Sequence, residues 1–232
     1  NGHLTFDASW SSYTPQLFPM YGSRDIIAPF WTDLDNRVNG QIYYKQYTSG
    51  SVLQQATQDI NQYFPGLNFN ANWVFVATWF EVAYYPTSGT VSQLPKFGIK
   101  LCAGYDTIDS THYYVLPGSF TSAASGSNSN FRLGSNVNEP GRWAFRTDHG
   151  STGCTFNGTL YPISGTTSTA SDDGSSPLIV LQRAFLYFGQ SYNQIYVSKI
   201  CFGKLKHLCF IHLHFKSRVS FLSTKSLLYE SQ

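Results

Sequence analysis

A chain of 232 residues with 17% aromatic and only 12% charged residues is long enough for one large β domain, or one domain with an appended segment. Charge is unevenly placed: residues 1–198 hold nine Lys/Arg against twelve Asp/Glu, and residues 199–232 hold six against one. The mildly acidic body excludes a nucleic-acid footprint, and no apolar run reaches the roughly 20 residues that span a bilayer.

Tyr, Phe, Trp and Thr fit pleated, half-buried surfaces, so the composition leans towards β structure. Few charges with abundant Ser, Thr, Asn and Gly are commoner in secreted β proteins than in cytosolic enzymes. The basic tail could touch phosphate or anionic lipid. Cys102, Cys154, Cys201 and Cys209 have no metal-ligand spacing and permit two disulfides in three connectivities. A start at Asn1, without Met or signal peptide, is expected of a fragment or a processed form.

In chain order, Leu4 and Phe6 alternate with His3, Thr5 and Asp7, which predicts a short strand whose partner lies elsewhere. Ser11–Pro15 is loop, and Leu17–Tyr21 supplies apolar filler. The stretch Asp25–Arg37, D-I-I-A-P-F-W-T-D-L-D-N-R, reads as a buried strand reaching a sheet edge. If it continues, period 2 puts Asp33, Asp35 and Arg37 on one face. Asn39-Gly40 signals a hairpin turn and Gln41–Tyr47 the return strand, with aromatics on both faces. In Ser51–Phe64, Leu53, Ala56, Ile60 and Tyr63 fall on one helical stripe. Ser51 and Gln54 form a capping box, and Pro65-Gly66 ends the helix.

Trp73–Tyr85 is almost continuously apolar and predicts a central strand buried on both faces. Its only charge, Glu81, reads as a hydrogen-bonded strand-end residue. Pro95 demotes residues 86–101 as an inner strand. Strands are expected at His112–Leu116, Phe131–Asn136, Gly141–Thr147 and in two runs over Leu178–Val197. Between them, Ser119–Asn130, Gly150–Thr159 and Ser164–Pro177 are polar loops or linkers.

Candidate chemistry is sparse. Asp33 and Asp35 could ligate Ca²⁺, which takes hard oxygen ligands, although they lack the spacing of an EF-hand loop and pairing with Arg37 or capping backbone amides is the better account. Asp172-Asp173-Gly174 is a turn former with the same calcium option. Asn157-Gly158-Thr159 is a glycosylation sequon. The six histidines form no H-E-x-x-H, and G-x-S-x-G, P-loop and dinucleotide fingerprints are absent. No nucleophile–base pair or cofactor motif marks an enzyme.

With these residues laid out, the chain resembles the NIDO domain of nidogen and alpha-tectorin-like extracellular matrix proteins. The stretches that carry the resemblance are N-G-H-L-T-F (1–6), I-I-A-P-F-W-T-D-L-D-N-R (26–37), G-Q-I-Y-Y (40–44) and V-A-T-W-F-E-V-A-Y-Y (76–85). A-G-Y-D (103–106), Y-Y-V-L-P-G-S (113–119) and G-R-W-A-F-R (141–146) extend it. The resemblance implies a mainly β, β-rich α+β fold with one or two helices, an antiparallel or mixed sheet sandwich, left incomplete here. Residues 1–147 form the NIDO-like part, lacking its first strands and two central strands that the family places between Tyr85 and Ala103. Residues 148–159 are a linker. Residues 160–198 resemble the start of a NIDO repeat, which either folds back to complement Leu4 or is exchanged along a tandem array. Residues 199–232 resemble nothing in the family and are expected to be an unrelated, poorly ordered tail.

The functional expectation is a secreted, non-enzymatic module for cell–matrix adhesion and matrix assembly. Its partners would be matrix or cell-surface proteins, with self-association through repeats. The rival readings are a Ca²⁺-dependent carbohydrate-binding β-sandwich and, last, a hydrolase.

Overall fold

A computed structural model describes residues 1–37, 40–80, 82–85, 100–124, 128–147, 161–170 and 174–198, and the backbone of three strands beyond them. In chain order come β1 (Leu4–Thr5), β2 (Ile26–Trp31), β3 (Leu34–Asp35), β4 (Gln41–Tyr47), helix α1 (Ser51–Tyr63) and β5 (Ala71–Phe80). Next are β6 (Ala83–Tyr84), β7 (Cys102–Asp106), β8 (Tyr113–Val115), helix α2 (Asn130–Leu133), β9 (Trp143–Phe145) and β10 (Thr166–Thr167). The chain continues as β11 (Ile179–Tyr187), β12 (Gln190–Val197), β13 (Leu213–Phe215), β14 (Arg218–Leu222) and β15 (Lys225–Ser231).

These make a six-stranded sheet, β11-β12-β1-β2-β7-β8, and a seven-stranded sheet, β10-β4-β5-β15-β14-β13, with β9 also on β14. A two-stranded pair, β3-β6, completes the set. Every pairing is antiparallel. The fold is β-rich α+β, as the resemblance implies.

Side-chain parity shows how the layers stack. In β5, Trp73, Phe75, Ala77 and Trp79 enter the main core, while Val74 and Val76 face a second cluster holding Val52, Leu53, Ala56, Ile60 and Tyr63 of α1. Period 2 therefore puts the other sheet on one side of β5 and the helix on the other. Leu4, Phe6, Ile27, Tyr105, Phe185, Tyr187, Ile195 and Val197 supply the facing half of the main core.

β2 is buried throughout, and its register on β7 slips by one residue between Ala28 and Trp31. Pro29 has no N–H to give a ladder, so a bulge falls there. The extra residue reverses the side-chain parity from Phe30 onward. Ile26 and Ala28 share an outer cluster with Trp31, while Ile27 and Phe30 point into the main core.

Several expectations are corrected. β1 is an inner strand, with Leu4 opposite Ile27 on one side and Val197 on the other. It is buried on both faces because the loop from Asp7 covers its outer one, where His3 meets the Trp10 ring at 5.2 Å and Thr5 Oγ1 donates to Ala8 O at 2.8 Å. The strand from Asp25 ends at Trp31, so Asp33, Asp35 and Arg37 do not continue one extended face. Gln41–Tyr47 pairs with β5, not back onto the preceding strand. The capping box is absent: Gly50 is the N-cap, with no side-chain cap, and Leu53 and Gln54 donate to its carbonyl. Ser51 already lies inside the helix, one position too late to cap.

Residues 130–133 form α2 instead of a strand, because Ser129 Oγ accepts from Arg132 N at 3.3 Å and caps the turn. Arg142 and Ala144 are as buried as Trp143 and Phe145. Beyond Ser198 the backbone of β13–β15 is described, with β15 laid along β5 from Lys225 opposite Thr78 to Ser231 opposite Ala71. Glu81, Asn39, Asp172 and Asp173, and the stretch 86–99, lie outside the described residues.

Candidate interaction surface

Among the described residues, it is the long loop from Asp7 to Arg24 that covers the outer face of the six-stranded sheet. It packs Trp10, Phe18 and Met20 against Ile26, Ala28, Trp31 and Cys102. Both ends of this loop are pinned. Near its start, Trp31 Nε1 donates to Ser12 O at 2.8 Å, and Ser198 Oγ donates to Trp10 O at 3.1 Å. His3 Nε2 lies 3.2 Å from the same carbonyl. The Trp10 ring sits 5.0 Å from Trp31 and 5.2 Å from His3, with the Arg24 guanidinium 4.6 Å above it.

Near its end, Met20 N donates to Asp106 Oδ2 at 2.7 Å and Tyr21 N donates to Ser110 Oγ at 2.8 Å. Asp109 N donates to Gly22 O at 3.2 Å, which locks the loop to the 108–110 turn. Asp25 holds that turn from the other side: its Oδ1 accepts from Ile108 N at 2.8 Å and its Oδ2 from Tyr192 OH. Burial raises the Asp25 and Asp106 carboxyls above their usual range and drives the His3 imidazole down to about 3. These groups serve as fixed anchors beneath the loop.

The loop presents large apolar side chains to solvent. Tyr13 is 48%, Leu17 53% and Tyr21 74% exposed, with Ile108 on the adjoining turn. Leu17 and Tyr21, expected as filler, are therefore surface residues, while Phe18 between them is buried. Tyr21 has φ 50°, in the left-handed region that costs a residue with a Cβ about 1–2 kcal/mol. A held outlier of this kind points towards function. Periodicity gives no warning of it, because the segment has none.

The expected calcium ligands are differently employed. Asp35 is buried, and both its oxygens take up Arg37: Nε at 3.0 Å from each, and Nη2 2.7 Å from Oδ2. Its Oδ1 also accepts from Arg37 N at 2.8 Å. These bonds outweigh burial and hold the carboxyl below its usual range. Asp33 is half-buried and its carbonyl accepts from Tyr85 N at 3.3 Å. Among the described residues, no three His, Cys, Asp or Glu side chains converge as a metal site. Cys102 is buried with a free thiol, pushed by burial up to about 12, so the permitted disulfides do not include it. The other three cysteines and the sequon at Asn157 lie outside the described residues.

Fold and surface together define a β-rich α+β module of two antiparallel sheets. A family model described as the nidogen-like domain (NIDO) matches residues 1–97 and 87–149, and the chain belongs to that family. Alpha-tectorin of Mus musculus is 33% identical over 199 residues, covering 68% of this chain and 9% of its own length. Alpha-tectorin of Homo sapiens is 32% identical with the same coverage. Nidogen-1 of Mus musculus is 36% identical over 87 residues, 36% of this chain and 7% of its own. The chain thus spans less than a tenth of the length of these relatives. No solved structure matches it. No helix among the described residues is long and apolar enough to cross a membrane.

Proposed function

We propose that this chain is a secreted, non-enzymatic extracellular matrix module that takes part in cell–matrix adhesion and matrix assembly. It works through protein–protein contacts made by the Tyr13–Tyr21 loop. The observation that carries the reading is Tyr21, an aromatic side chain 74% exposed on a left-handed residue of a pinned loop. Aromatic anchors on rigid supports dominate protein recognition, and loops fixed by a scaffold are the usual place for them. Family membership supports the matrix setting, since nidogen and alpha-tectorin are matrix proteins.

On the same reading the chain is one permuted unit, in which residues 174–198 supply the first strands for residues 1–147. The pairing of Leu4 with Val197 and of Thr5 with Tyr196 supports it.

The test is Tyr21→Gly. Glycine removes the ring but accepts the left-handed backbone, so the variant keeps its stability to within about 1 kcal/mol. Binding to decellularised matrix and cell attachment to the coated protein are expected to fall at least tenfold. Undiminished binding and attachment by the Tyr21→Gly and Leu17→Ser variants refute the assignment.

A further inference from the structure

β5 is ten residues long and buried over nearly its whole length. One edge pairs with β4 from Gln41 to Tyr47. Among the described residues before Ser198, none pairs with the other edge. β9 is in the same position: Trp143, Ala144 and Phe145 are buried, and its strand partner is β14, through Leu222, Phe221 and Ser220. The described residues up to Ser198 therefore leave a gap two strands wide between β5 and β9, about 14 Å across at the usual strand spacing. Buried backbone donors and acceptors face into it, and such groups demand partners.

The occupant is an antiparallel pair. β14 and β15 pair through Ser220–Leu228, Phe221–Leu227 and Leu222–Ser226. β15 lies along β5 in continuous register from Lys225 to Glu230. The hairpin brings its own internal ladder and offers one edge to β5 and the other to β9. The sequence puts 14 residues, 199–212, between Ser198 and β13, which precedes the hairpin, a length of chain that spans at most about 50 Å. A tether of that reach can deliver the hairpin to its own gap or to a neighbour's.

We propose that the gap between β5 and β9 is a hairpin-accepting site, closed in cis by residues 218–231, and that the partner it takes in self-association is the same hairpin of a second copy of this chain. Adding strands to an open edge is a general mode of recognition, with affinity from main-chain bonds. Exchange of an identical element is a low-cost route to assembly. The site lies at the opposite sheet from the loop surface proposed above and is independent of it.

The register supplies the test in the full chain. Ala77 stands opposite Ser226, and antiparallel partners lie about 4.5–5.5 Å apart at Cα, within disulfide range. The double variant Ala77→Cys, Ser226→Cys, oxidised at low concentration, is expected to form an intrachain 77–226 bond, mapped by mass spectrometry of the unreduced digest. The two single variants, unfolded, mixed and refolded together, are expected to give a disulfide-linked dimer through the same pair, in a fraction that rises with chain concentration. Absence of the intrachain link overturns occupancy in cis, and absence of the interchain link overturns exchange between copies.

Discussion

Phe6 is the most exacting place to perturb this fold. It is fully buried, and its ring lies 5.4 Å from Phe185, 5.3 Å from Tyr187 and 4.8 Å from Tyr192. All three partners come from the β11–β12 hairpin, nearly the whole chain length away in sequence. Deleting a buried phenylalanine ring costs about 3–5 kcal/mol, a third or more of a typical domain's stability. Phe6→Ala is therefore expected to unfold a large share of the molecules. Phe6→Leu and Phe185→Leu keep more of the volume and cost about 1–2 kcal/mol each. Urea unfolding followed by tryptophan fluorescence gives the stability of wild type, both singles and the double. If the two rings pack in one core, the cycle has a coupling of about 0.5–1.5 kcal/mol, the worth of an aromatic pair. Additivity within about 0.3 kcal/mol, the behaviour of distant sites, would refute the packing of the hairpin on β1.

Three further outcomes are expected. Burial holds the Asp59 carboxyl up at about 6, against an ordinary 3.8, even though it accepts a 2.8 Å bond from Tyr161 and lies near Arg142. The folded chain thus binds that proton more tightly than the unfolded one. Its contribution is full below about pH 4 and is lost as pH rises through about 6. Relative to Asp59→Asn, wild type should gain about 2 kcal/mol between pH 7 and pH 4; parallel pH–stability curves for the two proteins contradict this. Gln46 joins the two sheets, donating to Val180 O at 2.8 Å while its Oε1 accepts from Gln182 N at 2.7 Å and Trp73 Nε1 at 3.0 Å. Gln46→Ala leaves these groups without it and should cost about 1–3 kcal/mol in thermal or urea unfolding, with hydrogen exchange at Gln182 accelerated. Secreted from animal cells, the chain should carry a glycan on Asn157, seen as a mass shift on glycosidase treatment that Asn157→Gln abolishes.

The legible parts of this fold are those where one physical signal dominates. The 3.6-residue stripe Leu53–Ala56–Ile60–Tyr63 gives α1 to within a residue, and the apolar run over β5 gives a strand buried on both faces. The β1–β12 pairing is foreshadowed by a strand that opens the chain without a partner, but no local pattern encodes its register. The misread parts are those where tertiary context overrides local pattern. Ser51 looks like a cap until Gly50 takes that place. Phe131–Asn136 looks like a strand until Ser129 caps a helix over Asn130–Leu133. Arg142, nominally a surface charge, is buried because its guanidinium donates to Tyr63 OH beside Asp59. The loop from Asp7 to Arg24 is the least legible, because exposure of Tyr21 depends on distant anchors at Asp106 and Ser110.

Central to this view of the molecule is that residues 174–198 belong to the same folded unit as residues 1–147. The direct measurement replaces residues 171–173 by a specific protease site, cuts the folded chain there, and follows the two pieces by size-exclusion chromatography with light scattering and by thermal unfolding. The prediction is one particle of the uncut mass that melts in a single transition near the uncut temperature. Separation into two independently folded pieces would contradict it.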